Sequence, residues 1–395
     1  MTQRRRRPLR DALLVAFSVA VSASPVGAQG PLDKVATFDP TIPFGSGNAL
    51  TLAPQLQTRW TAVETGGAER DTVVGFSVPR ARLIITTRLA NDAFRFRLRI
   101  GNNAQGTGIF QQAYGEANWN DFRLRVGQMV LVLNAGEEPV IEGLTPADFS
   151  SYANAFAGGS TQGVQLAYRG PVRFIATVGN GARVGFSELL APIVADVATT
   201  GRFEVPIGPQ SLNDYDSMAT FRRCQPLNAR AGLTGHFQNR QRNDGTKYYL
   251  YQGSADFGVR ASGFTVLASG TYFHLNPVDQ PTVQVGGLFV FGSLFLSRYV
   301  ESFAQFDAVW PLGDKAPLPP DFATSSQPGS TMFRTVTIGS NFFIIPDMQR
   351  LKVQMDVQAM FDGQATSFIP ANPALGVLPS SGPQVAMRLQ LLVSL

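Results

Sequence analysis

Apolar side chains and arginines alternate along Phe94-Arg95-Phe96-Arg97-Leu98-Arg99-Ile100. A period of two sends the two kinds to opposite faces of an extended strand, one greasy and one cationic. Three arginines on one face cannot all be buried without partners, so that face must meet water or ligands. The same period recurs far along the chain. Leu351, Val353, Met355, Val357, Ala359 and Phe361 alternate with Lys352, Gln354, Asp356 and Gln358. Val300, Ala304, Phe306, Ala308 and Trp310 oppose Glu301, Gln305 and Asp307, and Tyr249, Tyr251, Ala255, Phe257 and Val259 oppose Gln252, Ser254 and Asp256. Read this way, the chain is predicted to hold sixteen strands, near 48–60, 72–88, 93–101, 111–118, 121–133, 161–169, 171–180, 196–207, 228–238, 247–259, 263–274, 282–292, 299–310, 331–343, 349–361 and 384–395.

The connections between these strands are unequal. Even-numbered strands end in short turns at 89–92, 119–120, 170–171, 260–262 and 346–347, whereas odd-numbered strands lead into 102–110, 134–160, 239–246, 311–329 and 362–383, rich in Gly, Pro, Ser and Asn. Short turns at one end and long loops at the other, an even strand count, and strands apolar on one face are the signature of a transmembrane barrel with lipid outside and water inside. The connection at 208–226, containing Asn213, Asp214, Asp216 and Cys224, breaks the rule. It is read as an elaboration of one turn rather than an error in the strand count.

The ends and composition agree with export. Arg4, Arg5, Arg6, Arg7 and Arg10 precede the apolar run Ala12–Ala20 and the small residues Val26-Gly27-Ala28, the layout of a signal peptide over residues 1–28. Beyond it no stretch has the about 18 consecutive apolar residues of a membrane helix, so any membrane crossing uses strands. Without that segment's five arginines and one aspartate, the chain's 33 basic and 28 acidic residues become 28 and 27. The basic isoelectric point therefore belongs mostly to the leader and does not argue for nucleic-acid binding. The single Cys224 allows no internal disulfide. Residues 29–47 read as an irregular periplasmic leader and 48–395 as the barrel. Trp119, Trp310, Tyr248, Tyr249 and Tyr251 are candidates for interfacial aromatic girdles.

Phe76-Ser77-Val78-Pro79-Arg80-Ala81-Arg82-Leu83, the Phe94–Ile100 strand, Gln112-Ala113-Tyr114-Gly115-Glu116 and Phe122-Arg123-Leu124-Arg125-Val126-Gly127-Gln128 together resemble the phosphate-selective porin O and P family of Gram-negative outer membranes. The resemblance is strongest over 72–180. It implies a homotrimeric, all-β, 16-stranded barrel whose third extracellular loop, here 134–160, folds inward as a constriction. It further implies a passive diffusion channel for small ionic or polar solutes, set in outer-membrane lipid. By alternation Arg80, Arg82, Arg95, Arg97, Arg99, Arg123 and Arg125 would line the pore, facing the same water as Glu116. The third loop departs from an anion filter: it holds Glu137, Glu138, Glu142 and Asp148 and no Lys or Arg. Carboxylate rings favour cations and arginine rings favour anions, so strict phosphate selectivity does not follow.

Two other classes compete. An outer-membrane enzyme needs a nucleophile and base, but His236 and His274 stand in no recognisable catalytic or metal motif and read as solvated residues. A scaffold or adhesin would present 311–329 and 362–383 to the exterior. No cofactor, metal or nucleic-acid signature is present, and the chain is expected not to be an enzyme. For the arginines, bracing of the wall by cross-strand pairing competes with ion selection.

Overall fold

Sixteen long antiparallel strands close into a barrel in the computed structural model, which describes residues 41–66, 72–102, 108–133, 146–147, 150–182, 197–208, 226–241, 247–278, 281–312, 332–346, 349–363 and 376–394. They are β2 (Ala49–Thr65), β3 (Thr72–Leu89), β4 (Phe94–Asn102), β5 (Gly108–Trp119), β6 (Phe122–Val130), β7 (Ser160–Arg169), β8 (Arg173–Gly179) and β9 (Val197–Ile207). There follow β10 (Asn228–Gln241), β11 (Lys247–Ala261), β12 (Phe264–Pro277), β13 (Val283–Phe295), β14 (Val300–Pro311), β15 (Phe333–Phe343), β16 (Leu351–Met360) and β17 (Gln384–Ser394). Each strand pairs with its neighbours in sequence, and β17 returns to β2 in the register Gln384↔Thr65 to Ser394↔Gln55. Closure leaves no edge to be satisfied by lipid, where an orphaned backbone group costs several kcal/mol.

A short strand, β1 (Thr41–Pro43), pairs with the start of β2, with the Thr41 and Thr51 hydroxyls 2.8 Å apart. This pairing falls inside 29–47, the segment read as irregular. Residues 1–40, with the expected signal peptide, lie outside the described residues.

Local chemistry sets the short turns. Ala90, Asn91 and Asp92 all adopt positive φ, as does Asn120, a conformation that Asn and Asp tolerate better than most residues. The Asn48 side chain accepts from the Ala90 amide at 2.9 Å, and the Asn118 amide donates to the Asp92 carbonyl at 2.9 Å. At the 208–226 connection, β9 and β10 are adjacent partners from Ile207↔Ala229 to Val197↔Asn239. The long segment therefore joins neighbours and hides no extra strand. Asn213, Asp214, Asp216 and Cys224 lie outside the described residues.

The register fixes which side chains face inward. Phe94 and Phe96 are 52% and 54% exposed on the outer face, where lipid would cover them. Arg95, Arg97 and Arg99 stand inward, opposite Arg88, Thr86 and Ile84 of β3 and Glu116, Tyr114 and Gln112 of β5. The inner face is divided. From β3 to β11 it carries many arginines; on β12–β15 it carries no lysine or arginine and is rich in Phe273, Leu275, Val285, Phe289, Phe291, Phe303 and Phe333, all buried.

Candidate permeation path

On the cationic side, β4, β5 and β6 bring Arg95, Arg123 and Arg125 around Glu116, whose side chain is 1% exposed. Arg125 Nε lies 2.6 Å from it, Arg95 Nη1 3.5 Å and Arg123 Nε 3.6 Å. Arg95 also holds Asp92 at 2.6 Å, and the Arg125 guanidinium lies over the Tyr114 ring at 4.8 Å. These contacts run across strands, so three of the arginines brace the wall. Arg80 donates to Gln57 at 2.8 Å. Arg82 and Arg99 stand on the same inner face, each with a partner of its own. Arg97, half-buried, has no hydrogen-bond or ion-pair partner among the described residues. Of the expected pore-lining set, Arg80, Arg82, Arg95, Arg97, Arg99 and Arg125 keep partial exposure; Glu116 and Arg123 are buried.

A second network continues the wall; of its members only Asp256 had been marked as inward by the alternation. Glu204 meets Arg202 at 2.6 Å, Arg173 at 3.1 Å and Arg230 at 3.5 Å, and Asp256 meets Arg202 at 2.7 Å. These residues alternate in β8–β11 as regularly as Arg95–Arg99 do, so the period that revealed the first group could have revealed this one.

The connection between β6 and β7 reaches the far wall. Its helix α1 (Ser151–Phe156) is capped by Ser150, whose hydroxyl oxygen accepts from the Ala153 amide at 2.9 Å. Asp307 of β14 accepts from the Ser150 side chain and the Tyr152 backbone, besides Gln305 and Thr335. The Tyr152 hydroxyl bonds Ser269 at 2.8 Å and also Thr271, both on the inner face of β12. Its ring stacks on Phe289 with centroids 5.8 Å apart. Gly287 makes room for this: a Cβ there would collide with the Phe156 and Tyr152 rings. Gln252 donates to the Phe156 carbonyl at 2.9 Å, and Ser254 donates to the Leu133 carbonyl. Ala147 is held from the other side: its carbonyl accepts from Arg59 at 2.8 Å, and its amide donates to Asp356 at 3.0 Å. Glu137, Glu138, Glu142 and Asp148 lie outside the described residues.

Two other expectations change. His236 is not solvated: it is 5% exposed on the inner face, with Nδ1 2.7 Å from the Thr200 hydroxyl and Nε2 3.1 Å from Gln238 Oε1. His274 stands on the outer face beside Tyr251 and Tyr272. Tyr248 does not join an outer girdle, because the register turns it inward, 1% exposed, whereas Tyr249 and Tyr251 face out.

No family model matches the sequence, and no curated protein matches it. Solved structures do. The anion-selective porin from Comamonas acidovorans superposes with a TM-score of 0.59 at 11% identity, covering 88% of this chain and 100% of that one. The fold is that of the outer-membrane porins. Pseudomonas putida OprB gives 0.55 at 12% identity over 87% of this chain and 94% of its own, and Vibrio cholerae OmpT gives 0.54 at 10% over 89% and 99%. At such identities the likeness carries the fold and not the phosphate-selective O and P assignment. It also corrects the expectation that the chain is not an enzyme. That denial rested on missing motifs around two histidines, and the neighbours, Vibrio cholerae OmpT among them, share the barrel at identities that carry the fold alone and give no ground for it.

Proposed function

We propose that this protein is a passive diffusion channel of the Gram-negative outer membrane, exported by residues 1–28, that passes small polar and ionic solutes with a preference for anions. The observation that carries this reading is the contrast in exposure across the lumen. Arg80, Arg82, Arg95, Arg97, Arg99 and Arg125 remain partly exposed along β3–β6, while the inner face of β12–β15 is covered. Water and solutes then run beside the arginines, with the described part of the 134–160 connection, residues 146–147 and 150–159, as the constriction opposite them. Arg97, unpaired within the described residues, is the guanidinium best placed to meet a passing anion. Glu137, Glu138, Glu142 and Asp148 sit in that connection and moderate the preference, so the channel takes small anions generally rather than phosphate strictly. A homotrimer in outer-membrane lipid fits this reading; fold neighbours include a trimeric form of Vibrio cholerae OmpT.

The test is a planar-bilayer recording under a potassium chloride gradient. Stepwise conductance with a reversal potential on the anion side is expected, moving toward zero in Arg97→Gln. Absence of conductance from folded protein, or a cation-side potential indifferent to Arg97, overturns the proposal.

A further inference from the structure

Two connections, not one, reach the covered half of the lumen. Gly376, Val377 and Leu378 follow β16 in sequence and belong to one of the long connections, a stretch otherwise suited to face outward. Yet Val377 and Leu378 are 5% and 8% exposed and join a single cluster of buried side chains with Tyr152 and Phe156 of α1 and with Phe289, Phe303, Met360 and Ala386 of the inner wall. The backbone is pinned there. Gln384, inward-facing on β17, accepts from the Leu378 amide at 2.9 Å and donates to its carbonyl at 2.7 Å. Gly376 has φ +82, and a Cβ on it would stand 2.9 Å from the Ala386 Cβ and 3.5 Å from Thr61 Cγ2. The chain thus lies directly on the inner face of β17 and β2. At the root of the connection, the Gly66 amide donates to the Pro383 carbonyl at 2.6 Å.

We infer that residues 376–378 form a second inward wall of the channel, which seals the apolar half of the lumen together with α1 and so sets the solute size limit. The inference rests on the channel reading above. An apolar inner face left in contact with water would forfeit the burial of these phenylalanines. Covering it with Val377 and Leu378 keeps that burial and leaves a water path bounded by arginines. Val377 and Leu378 are therefore size-determining residues, although they bind no solute.

The experiment uses the whole chain with Cys224→Ser and a reporter Ala386→Cys. With native Val377 and Leu378, a membrane-impermeant thiol reagent should label the reporter slowly. Val377→Asp combined with Leu378→Asp should raise that rate at least tenfold, roughly double single-channel conductance and admit larger neutral sugars into proteoliposomes. Val377→Ala with Leu378→Ala gives a milder version should the charged pair fail to fold, with heat-modifiable electrophoretic migration as the check on the barrel. Rapid labelling with the native loop, or an unchanged size limit in folded variants, overturns the inference. A protein that labels as expected but never conducts sinks the channel reading and leaves the second wall standing.

Discussion

The β3–β6 wall and the β12–β15 wall are built on the same alternation and treated in opposite ways. On β3–β6 many inward positions are arginines, and all of these but Arg123 stay partly open. On β12–β15 many inward positions are aromatic or aliphatic, and parts of two connections, α1 and Val377–Leu378, join them in one buried cluster. The position of a pore inside a barrel is thus decided by what the inner faces require. Guanidinium groups are stable in water and costly to bury, whereas phenylalanines are the reverse. An interior that offers both need not be filled uniformly.

The strongest way to break the contrast is to invert the open wall. Arg97→Glu with Arg99→Glu changes the charge by four units beside the path. Even one unit at about 4 Å in water-like dielectric is worth about 1 kcal/mol, so the anion-to-cation permeability ratio should fall more than tenfold and the reversal potential change sign. The covered wall is next. Gly287→Leu drives a side chain into Phe156 and Tyr152, and overpacking of this kind costs about 1–3 kcal/mol. Displacement of α1 should raise conductance severalfold with a weakened anion preference, read in the same bilayer.

Smaller effects sharpen the picture. Tyr152→Phe keeps the ring on Phe289 and removes the bonds to Ser269 and Thr271, a loss of about 1 kcal/mol. Mean conductance should hold while current noise rises as α1 frays from β12. Weakest is the clamp at the root of the last connection, where Arg334 donates to Asp362 through Nε at 2.9 Å and Nη2 at 2.8 Å. The Arg334 guanidinium holds the Asp362 carboxyl below its usual range. Because the folded value is the depressed one, the clamp is complete above the unfolded value of about 4 and is lost only as pH falls through the folded value. Noise from this connection should therefore be flat between pH 8 and 5 and increase below about pH 4, and Asp362→Asn should reproduce the acid behaviour at pH 7.

The sixteen strands were legible because most of them carry polarity on one face, as Lys352, Gln354, Asp356 and Gln358 do on β16. The arginines of β4 were legible for the same reason. Phe289 and Phe291 were not recognised as inward. In Leu288-Phe289-Val290-Phe291 both faces are apolar, and a period of two without contrast gives no inside. Nor could the docking of α1 be read locally: Ser150 caps a helix of only six residues, held by contacts with β12, β13 and β14 that lie more than a hundred positions away. His236 was misplaced because a lone histidine carries no sign of the Thr200 hydroxyl two strand-lengths earlier in the chain.

The seam between β17 and β2 carries a consequence for how the molecule comes to exist. Arg59 Nε donates to Gln390 Oε1 at 2.9 Å across 331 positions of sequence. Every other strand pairing can form between neighbours as they emerge, at small entropic cost, but this one waits for nearly the whole chain. Until then β2 and the newest strand present bare hydrogen-bonding edges, a template for pairing with any other exposed strand. The barrel is thus most exposed to mispairing just before completion, and its seam is where an assembly catalyst or chaperone would have the most to do.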